Sequence, residues 1–230
     1  MKFTLLSYLL LIIASCSAQT DSVHHLNAES FEKSIQNKNI QILDVRTEGE
    51  FKSGHIKNAL LINWNDKSQF QDRVQYISKN EPVYIYCLSG ARSAAAASWM
   101  REKGYKKVVE LEGGINAWKK AGLPVEGIRE EKQMSFEEYR AAIPDNETVL
   151  VDIGAPWCPP CKTMEPVIKE LQHNPALHFK LLKIDADTQT EILKKLEIDP
   201  IPVFIIYKAG KEVWRREGVI GKEELSAQLK

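Results

Sequence analysis

The chain has 230 residues, of which 27% are charged and 43% hydrophobic, and this length suits one large or two ordinary globular domains. Its formal net charge is zero, so no excess of basic side chains points to a nucleic-acid partner. Four cysteines are too few for a framework of structural disulfides. The cysteines are therefore candidates for catalytic or redox-active residues.

The first residues are typical of an export signal. Lys2 precedes a mostly apolar run from Leu5 to Ala14, about half as long as the roughly 20 residues that a membrane-spanning helix needs. The segment Ile13-Ala14-Ser15-Cys16 resembles a bacterial lipobox, whose cysteine becomes the acylated first residue of the mature protein. This resemblance implies an exported lipoprotein on the periplasmic side of a membrane, with a lipid anchor at Cys16. The alternative is cleavage after Ala18, which would discard Cys16.

Strand-like apolar runs alternate with helical patterns along the next hundred residues, which predicts an α/β unit with a mainly parallel sheet. The predicted strands cover residues 40–45, 59–63, 83–87 and 108–111. The predicted helices cover residues 30–36, 67–76, 93–103 and 115–120.

A second alternation follows and predicts a second α/β unit. Its elements are helix 136–142, strand 149–153, a helix after Cys158, strand 180–184, helix 191–196, paired strands around Ala209-Gly210, and helix 222–229. Between the two units, the chain is charged and lacks apolar periodicity. The sequence therefore predicts an export segment (1–18), a first domain (21–126), a linker (127–133) and a second domain (134–230).

Cys87 is predicted to lie on a turn between a buried strand and a helix. Backbone N–H groups in such a turn, aided by the helix dipole, favour an anion or a thiolate at one spot. Cys87 is thus a candidate nucleophile. The residues expected to surround it and bind its substrate are Leu88, Ser89, Gly90, Ala91 and Arg92.

The segment 87–93, Cys-Leu-Ser-Gly-Ala-Arg-Ser, resembles the active loop of single-domain rhodaneses, and segments 43–46, 54–56 and 111–115 match that family in the same order. The resemblance implies a sulfurtransferase in which Cys87 takes sulfur from a sulfane donor, thiosulfate or a persulfide, and carries it as a persulfide. Related dual-specificity phosphatases have one more residue between the cysteine and the arginine, and the four residues here disfavour phosphate chemistry. For Arg92, a role as a loop anchor that bonds carbonyls is the alternative to substrate binding.

A CxxC motif, Cys158-Pro159-Pro160-Cys161, follows a strand-like run and begins a helix. At such a position the first sulfur is expected at the exposed helix terminus and the second one turn inward, within reach of a disulfide. Cys158 should therefore attack substrates, and Cys161, lying deeper, should resolve the mixed disulfide. No second ligand pair accompanies the motif, so neither a metal nor a cofactor is expected.

From about Met134 to its end, the chain resembles thioredoxin. This resemblance implies a redox-active disulfide, with Trp157 as part of the motif and Asp152 as a buried acid that exchanges protons with the inner cysteine. It also implies that Pro202 is a cis-proline facing the disulfide. The alternatives are a solvent-facing strand acid for Asp152 and an edge-strand proline for Pro202.

The two chemistries are complementary, because a dithiol can attack a persulfide, release hydrogen sulfide and close its own disulfide. We therefore expect an exported sulfurtransferase coupled to a dithiol that reduces the Cys87 persulfide or the disulfides of other exported proteins. A membrane electron donor would restore the dithiol. The alternative is an independent thiol-disulfide oxidoreductase beside a sulfur-binding or sensing domain.

Overall fold

The computed structural model of the chain describes residues 24–127 and 132–230. The export segment with Cys16 and residues 128–131 of the predicted linker lie outside the described residues. Within the described ranges, no helix is both long enough and apolar enough to cross a membrane.

The first half of the chain forms a five-stranded sheet in the order β1-β5-β4-β2-β3, with parallel pairing throughout. Its strands are β1 (His24–Leu26), β2 (Gln41–Asp44), β3 (Leu60–Leu61), β4 (Val83–Tyr86) and β5 (Val108–Leu111). Its helices are α1 (Ala28–Ile35), α2 (Glu48–Lys52), α3 (Lys67–Val74), α4 (Ala91–Glu102) and α5 (Gly114–Lys120). All four residues of β4 are buried, as expected for a parallel strand covered on both faces.

The second half forms a four-stranded sheet in the order β7-β6-β8-β9, in which β7 is parallel to β6 and the other pairs are antiparallel. Its strands are β6 (Val149–Gly154), β7 (Lys180–Asp185), β8 (Val203–Lys208) and β9 (Lys211–Glu217). Its helices are α6 (Phe136–Ala141), α7 (Pro159–Gln172), α8 (Thr190–Leu196) and α9 (Lys222–Leu229). The predicted fold class, a parallel-sheet α/β domain followed by a second α/β domain, is confirmed.

Two short elements of the first domain were missed by the sequence prediction, β1 and α2. Helix α2 has only five residues, too few for an apolar periodicity to show. It is held at its start by a capping box, in which the Thr47 side chain accepts from the Glu50 N–H and the Glu50 side chain accepts from the Thr47 N–H.

The two domains pack together at the β3 edge of the first sheet. The Leu61 N–H donates to the Trp157 carbonyl over 3.0 Å, which continues the sheet's hydrogen bonding into the second domain. The Trp157 ring packs edge-on against Phe51 of α2, with 6.0 Å between ring centroids. The Arg73 guanidinium of α3 lies 5.4 Å from the centroid of the same ring. The CxxC loop therefore lies at the domain interface.

Candidate functional site

Cys87 follows β4 directly, and its sulfur faces the start of α4. The Gly90 N–H donates to the sulfur with an N···S distance of 3.1 Å, and the Ser93 hydroxyl lies 3.5 Å from it. Gly90 is the N-cap of α4 with a φ of 111°, a conformation that glycine adopts without strain and that turns the loop back over the sulfur.

Burial and hydrogen bonding act in opposite directions on the Cys87 thiol. Its burial raises the pKa, whereas hydrogen bonds from Ser93, Gly90 and Ser89 lower it, and the pKa falls below its ordinary value. The loop therefore stabilises a thiolate, the form of cysteine that attacks sulfur.

Arg92 is held by a carboxylate. Its Nη1 and Nη2 atoms lie 2.8 and 2.6 Å from the two carboxylate oxygens of Glu50, a bidentate ion pair. Hydrogen bonding from Arg92 lowers the pKa of Glu50 to about 2, despite partial burial of the carboxylate. The pKa of Arg92 is raised chiefly by Glu50 and further by the Cys87 thiolate. Arg92 thus links α2 to the sulfur.

The other predicted loop residues, Leu88, Ser89 and Ala91, are exposed around the buried sulfur. The loop backbone is hydrogen-bonded to the start of α5. The Ile115 N–H donates to the Cys87 carbonyl over 2.9 Å, and the Asn116 N–H donates to the Leu88 carbonyl over 3.1 Å. The backbone of the loop is thus held in place by α5, while the side chains of Leu88, Ser89 and Ala91 are exposed.

Two residues were missing from the predicted site: Ser93, whose hydroxyl lies near the sulfur, and Glu50, which pairs with Arg92. Ser93 is fully buried, and its hydroxyl also donates to the Gly90 carbonyl over 2.9 Å. The spacing Thr47-x-x-Glu50 is a capping-box signature and could have revealed α2, although not its pairing with Arg92.

The second site is a disulfide between Cys158 and Cys161 at the N-terminus of α7. Cys158 is the N-cap of that helix, and its sulfur accepts from the Cys161 N–H with an N···S distance of 3.3 Å. The Ile201–Pro202 peptide bond is cis, as the thioredoxin resemblance implies, and the Ile201 carbonyl oxygen lies 4.0 Å from the Cys158 sulfur.

Asp152 lies on β6, and a Cβ atom at the nearby Gly154 would lie 3.9 Å from its Oδ1 and 3.2 Å from the Cys161 Sγ. Its side chain is 14% exposed, which excludes the alternative of a solvent-facing strand acid, and the Lys183 Nζ lies 4.0 Å from its carboxylate. Burial raises the pKa of Asp152 to about 6, while the charge of Lys183 opposes that rise. A strongly shifted carboxyl beside a disulfide is typical of a functional group.

The sequence predicts that Cys161 is the more deeply buried of the two cysteines, and the structure shows the reverse. Cys158 is fully buried, whereas Cys161 is partly exposed. The prediction that Cys161 lies deeper is wrong, because Cys158 belongs to a buried apolar cluster that also contains Phe51 of the first domain. In the folded chain the first domain packs against Trp157, the residue next to Cys158.

Comparison with known proteins assigns each half of the chain to a family. The Rhodanese-like domain model matches residues 27–121, and the Thioredoxin model matches residues 130–230. A sulfurtransferase from Allochromatium vinosum is 35% identical over 104 residues, which cover 45% of this chain and 94% of that relative. The chain belongs to both families. The rhodanese-like domain therefore carries Cys87, and the thioredoxin-like domain carries Cys158 and Cys161.

Other relatives match one part of this architecture. Thioredoxin Y, chloroplastic, from Oryza sativa subsp. japonica is 33% identical, over 43% of this chain and 59% of its own length. A tRNA uridine(34) hydroxylase from Chlamydia muridarum is 29% identical over 60% of this chain, which spans only 43% of that protein. A rhodanese-like domain protein of known structure from Staphylococcus aureus is 32% identical, with a TM-score of 0.40, over 46% of this chain and 100% of its own.

Proposed function

We propose that this protein is a sulfurtransferase that carries sulfane sulfur as a persulfide on Cys87 and is coupled to the dithiol of Cys158 and Cys161. One observation carries the proposal. The Cys87 sulfur accepts a hydrogen bond from the Gly90 N–H, lies within reach of the Ser93 hydroxyl, and interacts with the Arg92 cation. These groups favour a thiolate and an anionic donor such as thiosulfate. The thiolate attacks the outer sulfur of thiosulfate, the S–S bond breaks, and sulfite leaves with the electron pair.

The sulfur then leaves Cys87 through an acceptor thiol. Residues Tyr86, Asp44 and Leu61 lie side by side in neighbouring strands, so β2 and β3 separate the Cys87 strand from the CxxC loop. The three spacings, from β4 to β2, from β2 to β3 and from β3 to the Trp157 segment, amount to about 14 Å. This separation supports a small thiol as the carrier between the sites. The small persulfide formed is then reduced by the dithiol, with hydrogen sulfide as the product.

Sulfur loading on the reduced full chain tests this proposal. With thiosulfate, the wild type is expected to gain one sulfur atom by intact mass and to release an equal amount of sulfite. The Cys87→Ser variant should do neither, because it lacks the attacking thiolate. The Cys158→Ser variant should still load sulfur, yet release no hydrogen sulfide when substoichiometric cysteine is supplied as carrier. Sulfite release that survives in Cys87→Ser would overturn the assignment.

A second candidate function is an independent thiol-disulfide oxidoreductase beside a sulfur-binding domain. Cys87 and Cys158 are both buried, each in its own domain, and this separation favours independent action of the two domains. Its substrates would be disulfides of exported proteins, and a membrane electron donor would restore its dithiol. Equal hydrogen sulfide release by the wild type and by Cys158→Ser, with insulin reduction lost only in the variant, would select this function over the coupled one.

We further propose export to the periplasmic side and lipid anchoring at Cys16, on the strength of residues 1–18 alone. Cells grown with labelled palmitate are expected to label the wild type and not the Cys16→Ser variant. Equal labelling of both would exclude Cys16 as the acylated residue, and labelling of neither would exclude the anchor.

A further inference from the structure

Helix α2 is short and depends on its neighbours for its position. It has five residues, fewer than the roughly 12–15 that an isolated helix needs to be stable in water. Glu50 of α2 binds both Nη atoms of Arg92, whose charge also interacts with the Cys87 thiolate. The position of α2 is therefore tied to the Cys87 loop.

The two residues that follow Glu50 contact the second domain. Phe51 is 1% exposed, and its ring packs edge-on against Trp157 of the CxxC loop. The Lys52 Nζ lies 3.7 Å from the Asp187 carboxylate. Three consecutive residues of one helix therefore contact the Cys87 side and the CxxC side of the molecule.

Packing at Phe51 extends to the reactive sulfur of the second domain. Phe51, Trp157 and Cys158 belong to one buried apolar cluster, in which Cys158 is 0% exposed. The hydrogen bond from the Leu61 N–H to the Trp157 carbonyl holds the same loop against β3. Because protein interiors are close-packed, a shift of Phe51 requires a shift of Trp157. The surroundings of Cys158 therefore depend on where α2 lies.

We propose that Phe51 is a positioning residue through which α2 couples occupation of the Cys87 loop to the CxxC loop. An anionic sulfur donor and the Glu50 carboxylate both bind the Arg92 guanidinium, so a bound donor weakens the Glu50 ion pair. Helix α2 then shifts, and Phe51 releases Trp157. A ligand changes a conformational equilibrium only through different affinities for the two states, and competition for Arg92 supplies that difference.

This coupling gives the two sites an order of action. While the Cys87 loop is empty, the docked domains enclose Cys158. Donor binding loosens the CxxC loop, so the dithiol becomes accessible when sulfur is being loaded. Linkage requires the reverse effect as well, in which docking of the domains weakens donor binding by the same factor. The inference rests on the proposed function for its anionic donor.

Hydrogen–deuterium exchange of the oxidised full chain, measured by peptide mass spectrometry, tests the proposal. The peptide that contains Leu61 is the reporter, because its N–H bond to Trp157 opens when the CxxC loop is released. Glu50→Gln weakens the pair with Arg92 and keeps a side chain suited to the capping box. Without any ligand, it should speed exchange at Leu61 about fivefold. Glu29→Gln, at an exposed carboxylate of α1, is the matched control and should stay within about twofold.

Thiosulfate provides the second arm of the test, in a Cys87→Ala chain that binds the donor without reacting. Saturating thiosulfate should slow exchange in loop 88–92 and speed exchange at Leu61 about fivefold. A purely structural role for Phe51 would not produce this dependence on ligand. Adding Phe51→Leu, which keeps an apolar side chain and removes the ring, should preserve the slowing in the loop and abolish the response at Leu61.

Equal exchange at Leu61 in Glu50→Gln and Glu29→Gln would overturn the coupling, whatever thiosulfate does. A response at Leu61 that persists in Phe51→Leu would overturn the role of Phe51. Faster exchange throughout β4 and β5 in Glu50→Gln would also contradict the proposal, because it would indicate general destabilisation. If thiosulfate did not slow exchange in loop 88–92, the anionic donor of the proposed function would be wrong, and the ligand-free comparison would still decide the coupling.

Discussion

Replacing Gly114 by alanine is expected to remove sulfur loading at Cys87 and to lower the free energy of unfolding by about 3–5 kcal/mol. A Cβ at residue 114 would lie 2.5 Å from the Cys87 carbonyl oxygen and 2.7 Å from the Leu88 carbonyl group, both of which are backbone. The φ of Gly114 is also positive, at 60°. Relief of the clash requires movement of the loop that holds the Cys87 sulfur.

Gly122→Ala is the matched control for this prediction. Gly122 has a similar φ of 71°, and a Cβ there would meet no atom within 4 Å. Its substitution should therefore cost only the backbone strain, about 1 kcal/mol. Urea unfolding and sulfite release from thiosulfate measure the two effects. If Gly114→Ala lost no more stability than Gly122→Ala and still loaded sulfur, the close packing of α5 under the loop would not matter.

Asp152→Asn is expected to stabilise the oxidised chain at pH 8 by about 3 kcal/mol. Burial raises the pKa of Asp152 from 3.8 to about 6, and each pH unit of difference corresponds to about 1.36 kcal/mol. The raised pKa means that the folded state disfavours the ionised carboxylate. This cost is absent below pH 4, grows between about pH 4 and pH 6, and is complete above pH 6. Asparagine does not ionise and never incurs it.

Urea unfolding of both proteins at pH 4 and pH 8, followed by far-UV circular dichroism, measures the difference. Glu224→Gln, which alters an exposed carboxylate of α9 in the same domain, should show no comparable change between the two pH values. A gain for Asp152→Asn that was as large at pH 4 as at pH 8 would contradict the ionisation argument. A loss of stability at pH 8 would show that the carboxylate is stabilised by its surroundings.

Local patterns in the sequence determined most of the secondary structure and both reactive motifs. Strand β5 and helix α9 have the predicted bounds. The Cys87 loop and the CxxC motif were identified for a local reason. A strand, a turn and a helix start follow one another within about ten residues, so the chemistry of each loop is encoded in adjacent positions.

Tertiary structure decided the contacts that join distant parts of the chain. The ion pair between Glu50 and Arg92 links residues 42 positions apart, and only the packing of α2 over the Cys87 loop brings them together. The hydrogen bond from Leu61 to Trp157 joins the two domains next to Cys158, which is more deeply buried than Cys161. Neither follows from sequence periodicity, because a periodic pattern shows which face of an element is buried and not which other element buries it.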